Sequence, residues 1–206
     1  MRLFVGIALA DMVVRELESV VARLRPSGGG LRWSEPDSWH ITLQFLGNTT
    51  PEQYPCLKEQ LGKVRSAPVP VQLGSLGCFE RAGVFFADVA VTPGLAALAE
   101  CVVAATSRCG FAAETRPFHP HITLARKTGN KGPRDQGNKK INPPGQGNSA
   151  GRGGTLRELV ARAGAVLPFS RFTVREFLLY ESHLGVDRAR YEVRGRFPLI
   201  SPRSDA

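Results

Sequence analysis

Two identical tetrapeptides stand far apart in the chain, His40-Ile41-Thr42-Leu43 and His121-Ile122-Thr123-Leu124. In an extended segment residues i and i+2 share a face, so each histidine projects with its threonine while isoleucine and leucine point the other way. Packing against a core constrains polarity but not identity. A letter-for-letter repeat therefore points to one site assembled from two matching strands. A pair of imidazoles suits in-line displacement at a phosphodiester, where one takes a proton from water and the other protonates the departing oxygen. Unperturbed histidine titrates near ~6.5, so a neutral and a protonated copy coexist readily near neutral pH, and neither a metal nor a cofactor is required. The hydroxyls of Thr42 and Thr123 can hydrogen-bond the non-bridging phosphate oxygens. A nearby cation would steady the charge of the transition state, and Arg126, five residues after His121, is the candidate.

Several elements must hold these strands. Met1 to Ala10 reads as a buried strand, and Asp11 as the N-cap of an amphipathic helix that ends at Pro26 and the Gly28-Gly29-Gly30 turn. Leu31 to Trp33 and Trp39 to Leu46 are extended. A second helix follows Thr50-Pro51, and Val69 to Leu76 and Val84 to Val91 are strands. Thr92-Pro93 opens a third helix, and Phe118 to Ala125 is again extended. Thr155 to Gly164 suits a short helix, and Arg171 to Ser182 and Arg190 to Leu199 two last strands. The terminal six residues should fray. Strands in adjacent runs with three good helices predict an α+β fold. In each half a helix precedes a His-Ile-Thr-Leu strand, an echo that predicts two similar lobes facing one cleft.

Composition places these elements in an ordinary globular chain, with 42% hydrophobic and 22% charged residues over 206 positions. The formal charge of +9 favours a polyanionic partner. Much of it lies between Lys127 and Gly154, where six basic residues accompany one acid, Asp135. Eight glycines and three prolines from Thr128 to Gly154 leave that tract unable to bury a core, so it is expected to be a mobile insertion at about 127–154. The cysteines at 56, 78, 101 and 109 show no metal-knuckle or disulfide-framework spacing and read as free thiols in a reducing cytoplasm. The opening apolar run is short and carries a single Arg, which suits a strand better than a secretory leader. No apolar stretch approaches membrane-spanning length.

The paired motifs extend into longer stretches: the opening Met1-Arg2-Leu3-Phe4-Val5-Gly6-Ile7, Trp39 to Gly47, Pro120 to Arg126, and Leu179-Tyr180-Glu181-Ser182. Together they resemble the 2H phosphoesterases and, more narrowly, the bacterial and archaeal RNA 2′,3′-cyclic phosphodiesterases, also called 2′-5′ RNA ligases. That resemblance implies a single bilobal α+β domain over residues 1–206, with pseudo-symmetric antiparallel lobes and outer helices around a central cleft. It implies hydrolysis of an RNA 2′,3′-cyclic phosphate end to a 2′-phosphomonoester, with reversible 2′-5′ ligation as a further activity. His40 then donates the proton to the 3′ oxygen, His121 is the base, and Thr42, Thr123 and Arg126 bind phosphate. The partner implied is RNA with cyclic phosphate ends, and the protein is expected to be a monomer, cytoplasmic and off the membrane.

Three alternatives stay open: a non-catalytic RNA-binding module, a metal-dependent hydrolase, and a phosphodiesterase acting on a small cyclic nucleotide or an ADP-ribose cyclic phosphate. Scattered histidines without clustered Asp, Glu or Cys complete no usual ligand set, which counts against metal dependence. His119 is separated from His121 by Pro120, which interrupts ladder pairing, and receives no catalytic role. His183 is placed in a turn. Trp33, Trp39 and Phe45 are candidates to stack a base, with at least two of the three expected in the core.

Overall fold

The computed structural model describes residues 1–128, 155–163, 169–184 and 189–200. Most of the predicted insertion and the six terminal residues lie outside them. In chain order the elements are β1 (Arg2–Ala8), α1 (Asp11–Leu24), β2 (Leu31–Trp33), β3 (His40–Asn48), α2 (Gln53–Gly62), β4 (Val69–Val71), β5 (Leu73–Phe79), β6 (Val84–Val89), α3 (Pro93–Ser107), β7 (His121–Lys127), α4 (Leu156–Ala163), β8 (Phe172–Val174), β9 (Glu176–Leu184) and β10 (Ala189–Pro198). Two four-stranded sheets carry the fold, in the orders β10-β9-β1-β3 and β2-β7-β6-β5, and β4 pairs with β8 in a small third sheet. All strand pairs are antiparallel.

The predicted echo is present in the topology. In the first sheet β1 leads through α1 to β3, its antiparallel neighbour, and in the second β6 leads through α3 to β7, also its antiparallel neighbour. Each His-Ile-Thr-Leu segment thus begins the strand that returns beside the one preceding the lobe's helix. The apolar face of each lobe feeds one continuous core. Val13, Leu17, Val20, Val21 and Leu24 of α1, Ile41 of β3, Leu95, Leu98 and Val102 of α3, and Ile122 and Leu124 of β7 all belong to it.

The first sheet is also covered on its other face, where Phe4, Leu178 and Tyr180 form a second buried cluster with Tyr191 against it. Strand alternation explains this: Leu3, Val5 and Ile7 face the main core, and Phe4 faces the opposite side. Between those faces Gly6 meets β3 closely, because a Cβ there would stand 2.9 Å from the Ile41 carbonyl oxygen.

Five expectations are corrected. Ala10, not Asp11, occupies the N-cap of α1, and Asp11 sits in the first turn, where a carboxylate faces the positive end of the helix dipole. The segment Val69–Leu76 is two strands and so is Arg171–Ser182, because the chain leaves the small sheet for a main sheet at Gln72 and at Arg175. Gln72 anchors the first switch by donating to the Phe169 carbonyl and accepting from Arg171 Nε at 2.8 Å. His183 lies on β9, paired with Arg190 across β10, rather than in a turn.

The fifth concerns the cysteines: Cys56 and Cys109 form a disulfide, and only Cys78 and Cys101 are free. Chain spacing hides this, since α2 and the end of α3 lie side by side and bring the two Cα atoms to 5.8 Å. The argument for a reducing compartment from unpaired cysteines therefore falls. Among the described residues no helix is long and apolar enough to cross a membrane.

Because the bridge closes a long loop between two core helices, Cys56→Ser should lower unfolding free energy by about 2–4 kcal/mol in urea titrations. Wild-type protein denatured without reductant should titrate two thiols, and four would mean that the bridge does not form.

Candidate active site

The site is built from the polar faces of β3 and β7. His40 and His121 begin these strands, and each is oriented by the carbonyl two residues before it: His40 Nδ1 donates to Ser38 O at 2.8 Å, and His121 Nδ1 donates to His119 O at 2.8 Å. A carbonyl oxygen can only accept, so both rings carry their proton on Nδ1 and present Nε2 as the working nitrogen. The Ser38 carbonyl is fixed by a 3₁₀ turn over Pro36–Ser38, in which Ser38 N bonds Glu35 O at 2.9 Å and Trp39 N bonds Pro36 O at 3.1 Å. On the other side Pro120 O accepts from Val89 N at 3.1 Å, which seats the segment before His121 against the end of β6.

Aromatic rings wall both imidazoles. Phe4, Tyr191 and Tyr180 surround His40 with ring centroids at 4.6, 5.0 and 5.8 Å. Phe79 and Phe86 stand 5.0 and 5.3 Å from His121. Burial among them pushes the His40 imidazole down to about 4, the Ser38 hydrogen bond opposing and the charges of His121 and Arg126 adding to the fall. His121 is lowered for the same first reason. Its bond to the His119 carbonyl opposes this, His119 and Arg126 lower it further, and Asp88 pulls it back up. Burial also raises the Tyr180 hydroxyl to about 12, so that it remains a neutral wall of the site. Near neutral pH burial therefore favours the neutral form of both imidazoles over the mixed pair that unperturbed values suggest.

The position of Arg126 follows from a local irregularity. Strict alternation would put a residue five after His121 on the opposite face. Between Thr123 and Ala125, however, the β6–β7 register slips, with Phe86 opposite Thr123 and Phe85 opposite Ala125, so Leu124 is an extra residue. Ala125 is buried, and Arg126 turns to the side of His121 and Thr123. β3 has the same slip after Thr42, with Gly6 opposite Thr42 and Val5 opposite Gln44, which leaves Leu43 extra. Gln44 is consequently buried, hydrogen-bonded to Thr106 Oγ1 at 2.7 Å, and Phe45 swings out to 65% exposure. Phe45 and Arg126 are thus equivalent positions of the two lobes, one an exposed aromatic and the other a half-buried cation.

The structure brings together both histidines, with the charge of His121 lowering His40, and Arg126, which acts on both. Thr42 and Thr123 lie half-buried on the same strand faces. Of the aromatic candidates Trp39 is buried and Trp33 packs edge-on to Phe85 at 5.9 Å, leaving Phe45 in reach of a ligand. Sequence reading missed Phe4, Tyr180, Tyr191, Phe79 and Phe86, since nothing in their spacing marks them. It gave His119 no part, yet the His119 carbonyl orients His121, and its ring meets Asp88 at 3.0 Å. Among the described residues one group could hold a metal ion, Glu181, His183 and Glu192, but Arg194 already ion-pairs with both carboxylates.

A comparison with known families matches residues 7–86 to the family described as LigT like Phosphoesterase. The RNA 2′,3′-cyclic phosphodiesterase of Bacillus subtilis is 30% identical over 135 residues, covering 63% of this chain and 73% of that protein. This chain belongs to the LigT-like 2H phosphoesterases. The namesake enzyme of Geobacillus stearothermophilus is 32% identical over 82% of the chain, which spans about half (48%) of that relative's length. Among solved structures, E. coli LigT complexed with 3′-AMP superposes with a TM-score of 0.70 at 27% identity, covering 96% of this chain and 97% of that one. The LigT-like fold accounts for the paired lobes, and the α+β reading with two antiparallel lobes stands.

The burial of His40 sets a pH dependence. A histidine whose folded value lies below ~6.5 binds fewer protons than the unfolded chain between the two values, so stability rises with pH across that window. It is complete above about 6.5 and is lost as pH falls toward about 4. His40→Asn keeps an N–H donor near Ser38 but does not titrate. Between pH 7 and 4.5, wild type should lose about 2 kcal/mol more than this variant in urea unfolding. Parallel losses would show that His40 is not held neutral by burial.

Proposed function

We propose that the protein hydrolyses the 2′,3′-cyclic phosphate end of RNA to a 2′-phosphomonoester, with His40 and His121 as the acid–base pair. The observation that carries this reading is the duplicated ring geometry, two imidazoles pinned through Nδ1 to backbone carbonyls with both Nε2 atoms left to act. His121 Nε2 takes a proton from water as the water oxygen bonds to phosphorus. The bond from phosphorus to O3′ breaks, and His40 Nε2 delivers its proton to O3′. Thr42 and Thr123 hold the non-bridging oxygens, and Arg126 neutralises charge that builds on them. The names of the relatives support the substrate class. Phe45, the exposed aromatic beside Thr42, offers a stacking surface for the terminal base. The same displacement with a 5′-hydroxyl in place of water joins that hydroxyl to phosphorus as a 2′-5′ linkage, again breaking the bond to O3′, and its reverse cleaves such a linkage. The whole of 1–206 acts as one domain and as a monomer, because each lobe supplies one histidine and one threonine.

Neutral imidazoles in the free enzyme explain how substrate primes the acid. An anionic phosphodiester beside Nε2 favours the imidazolium, so His40 gains its proton as the substrate enters. The profile of kcat/KM should then peak below about pH 6.5, where the free enzyme holds one proton on the pair.

The direct test is hydrolysis of a short RNA ending in 2′,3′-cyclic phosphate, with EDTA present, by wild type, His40→Ala and His121→Ala. Wild type should form the 2′-phosphate, and each variant should lose about 10²–10⁴-fold in kcat. RNA binding without turnover by wild type would contradict the enzymatic reading.

A further inference from the structure

A cluster of positive charge beside the site exceeds what one cyclic phosphodiester needs. Arg32 on β2 sits directly opposite Arg126 on β7. Its neighbours Leu31 and Trp33 pack against the core, so Arg32 projects from the other face, and it is exposed. Arg2 on β1 shares the face of Phe4, which contacts His40, and is exposed as well. The hydroxyl of Tyr191, a ring that itself packs on His40 and Phe4, gathers these groups: burial raises it while Arg126, Arg2 and Arg32 all pull it down. Among the described residues none of the three arginines has a carboxylate partner, although most arginines on β10 and α4 do. Like charges placed directly opposite one another across a ladder are destabilising unless an anion shares them.

We propose that Arg2 of β1 and Arg32 of β2, beside Arg126, form a second phosphate subsite that takes the phosphate on the 5′ side of the terminal nucleoside. The inference rests on the cyclic phosphodiesterase reading and extends it. The cyclic phosphate carries a single negative charge and is already served by two histidines, two threonines and Arg126. Arg2 and Arg32 therefore have capacity for another anion, and in a substrate seated at Thr42 and Thr123 the next phosphate along the chain is the one on O5′. Guanidinium groups suit it, since they present several donors to phosphate oxygens in a fixed plane. The enzyme would thereby favour an RNA end, or a 5′-phosphorylated nucleotide, over a bare nucleoside 2′,3′-cyclic phosphate.

The experiment compares kcat/KM for cytidine 2′,3′-cyclic phosphate with and without a 5′-phosphate, at low salt. The proteins are wild type, the double variant Arg2→Gln/Arg32→Gln, and Arg196→Gln, whose side chain pairs with Glu176 instead. The ratio of the two kcat/KM values does not depend on how much of each preparation is folded. Wild type should prefer the 5′-phosphorylated substrate by about tenfold, as charge-assisted contacts of this kind allow. The double variant should fall to within about twofold of parity, and Arg196→Gln should keep the preference. Equal use of both substrates by wild type overturns the subsite and leaves the phosphodiesterase reading intact. Hydrolysis of neither removes that reading and the subsite with it. An equal collapse in Arg196→Gln also overturns the proposal, because it would assign the preference to overall charge.

Discussion

Two backbone hydrogen bonds govern this molecule, from His40 Nδ1 to Ser38 O and from His121 Nδ1 to His119 O. They fix the tautomer of each ring, and with it which nitrogen is left free to act. A free imidazole samples both tautomers and all rotations, so chemistry that needs two coordinated proton transfers would otherwise wait on two uncorrelated rings. The carbonyls can do this only because the preceding residues are held: Ser38 by a 3₁₀ turn, and His119 by Pro120 and the end of β6. Aromatic burial then acts on rings that are already oriented. It favours their neutral forms, and in the proposed mechanism binding the substrate and charging the acid become one event.

The second constraint is the register slip after each threonine. One extra residue, Leu43 in β3 and Leu124 in β7, converts a face that would present His, Thr and a small or amide side chain into one that presents His, Thr and either Phe45 or Arg126. The lobes are thus duplicated in backbone and divided in chemistry, with an aromatic surface on one side and a cation on the other. A single core beneath both sheets makes that division workable, because the two strands cannot move apart without opening apolar packing shared by α1, α3, β3 and β7.

What could be read from the sequence followed from local chemistry. The His-Ile-Thr-Leu repeat, the amphipathic α1 and the Thr92-Pro93 start of α3 each declare themselves within a few residues, and Thr92 does cap its helix by accepting from Leu95 N. Features set by distant contacts were not legible. The Cys56–Cys109 bridge depends on two helices meeting, the breaks at Gln72 and Arg175 on a strand changing sheets, and the walls around His40 on β9 and β10 returning beside β1. Arg126 was singled out for its charge, while its aim comes from a bulge that strict alternation does not anticipate. The lowered His40 value was likewise invisible, since burial by Phe4, Tyr180 and Tyr191 is a tertiary fact.

The most direct measurement is a long-range ¹H–¹⁵N correlation spectrum of the histidine ring nitrogens in the free protein near pH 7. The account predicts that His40 and His121 both appear as neutral rings protonated on Nδ1, with Nε2 at the shift of an unprotonated nitrogen, and that saturation with a non-hydrolysed phosphate ester moves Nε2 of at least one ring toward the protonated value. Rings protonated on Nε2, or freely exchanging between tautomers, would contradict it.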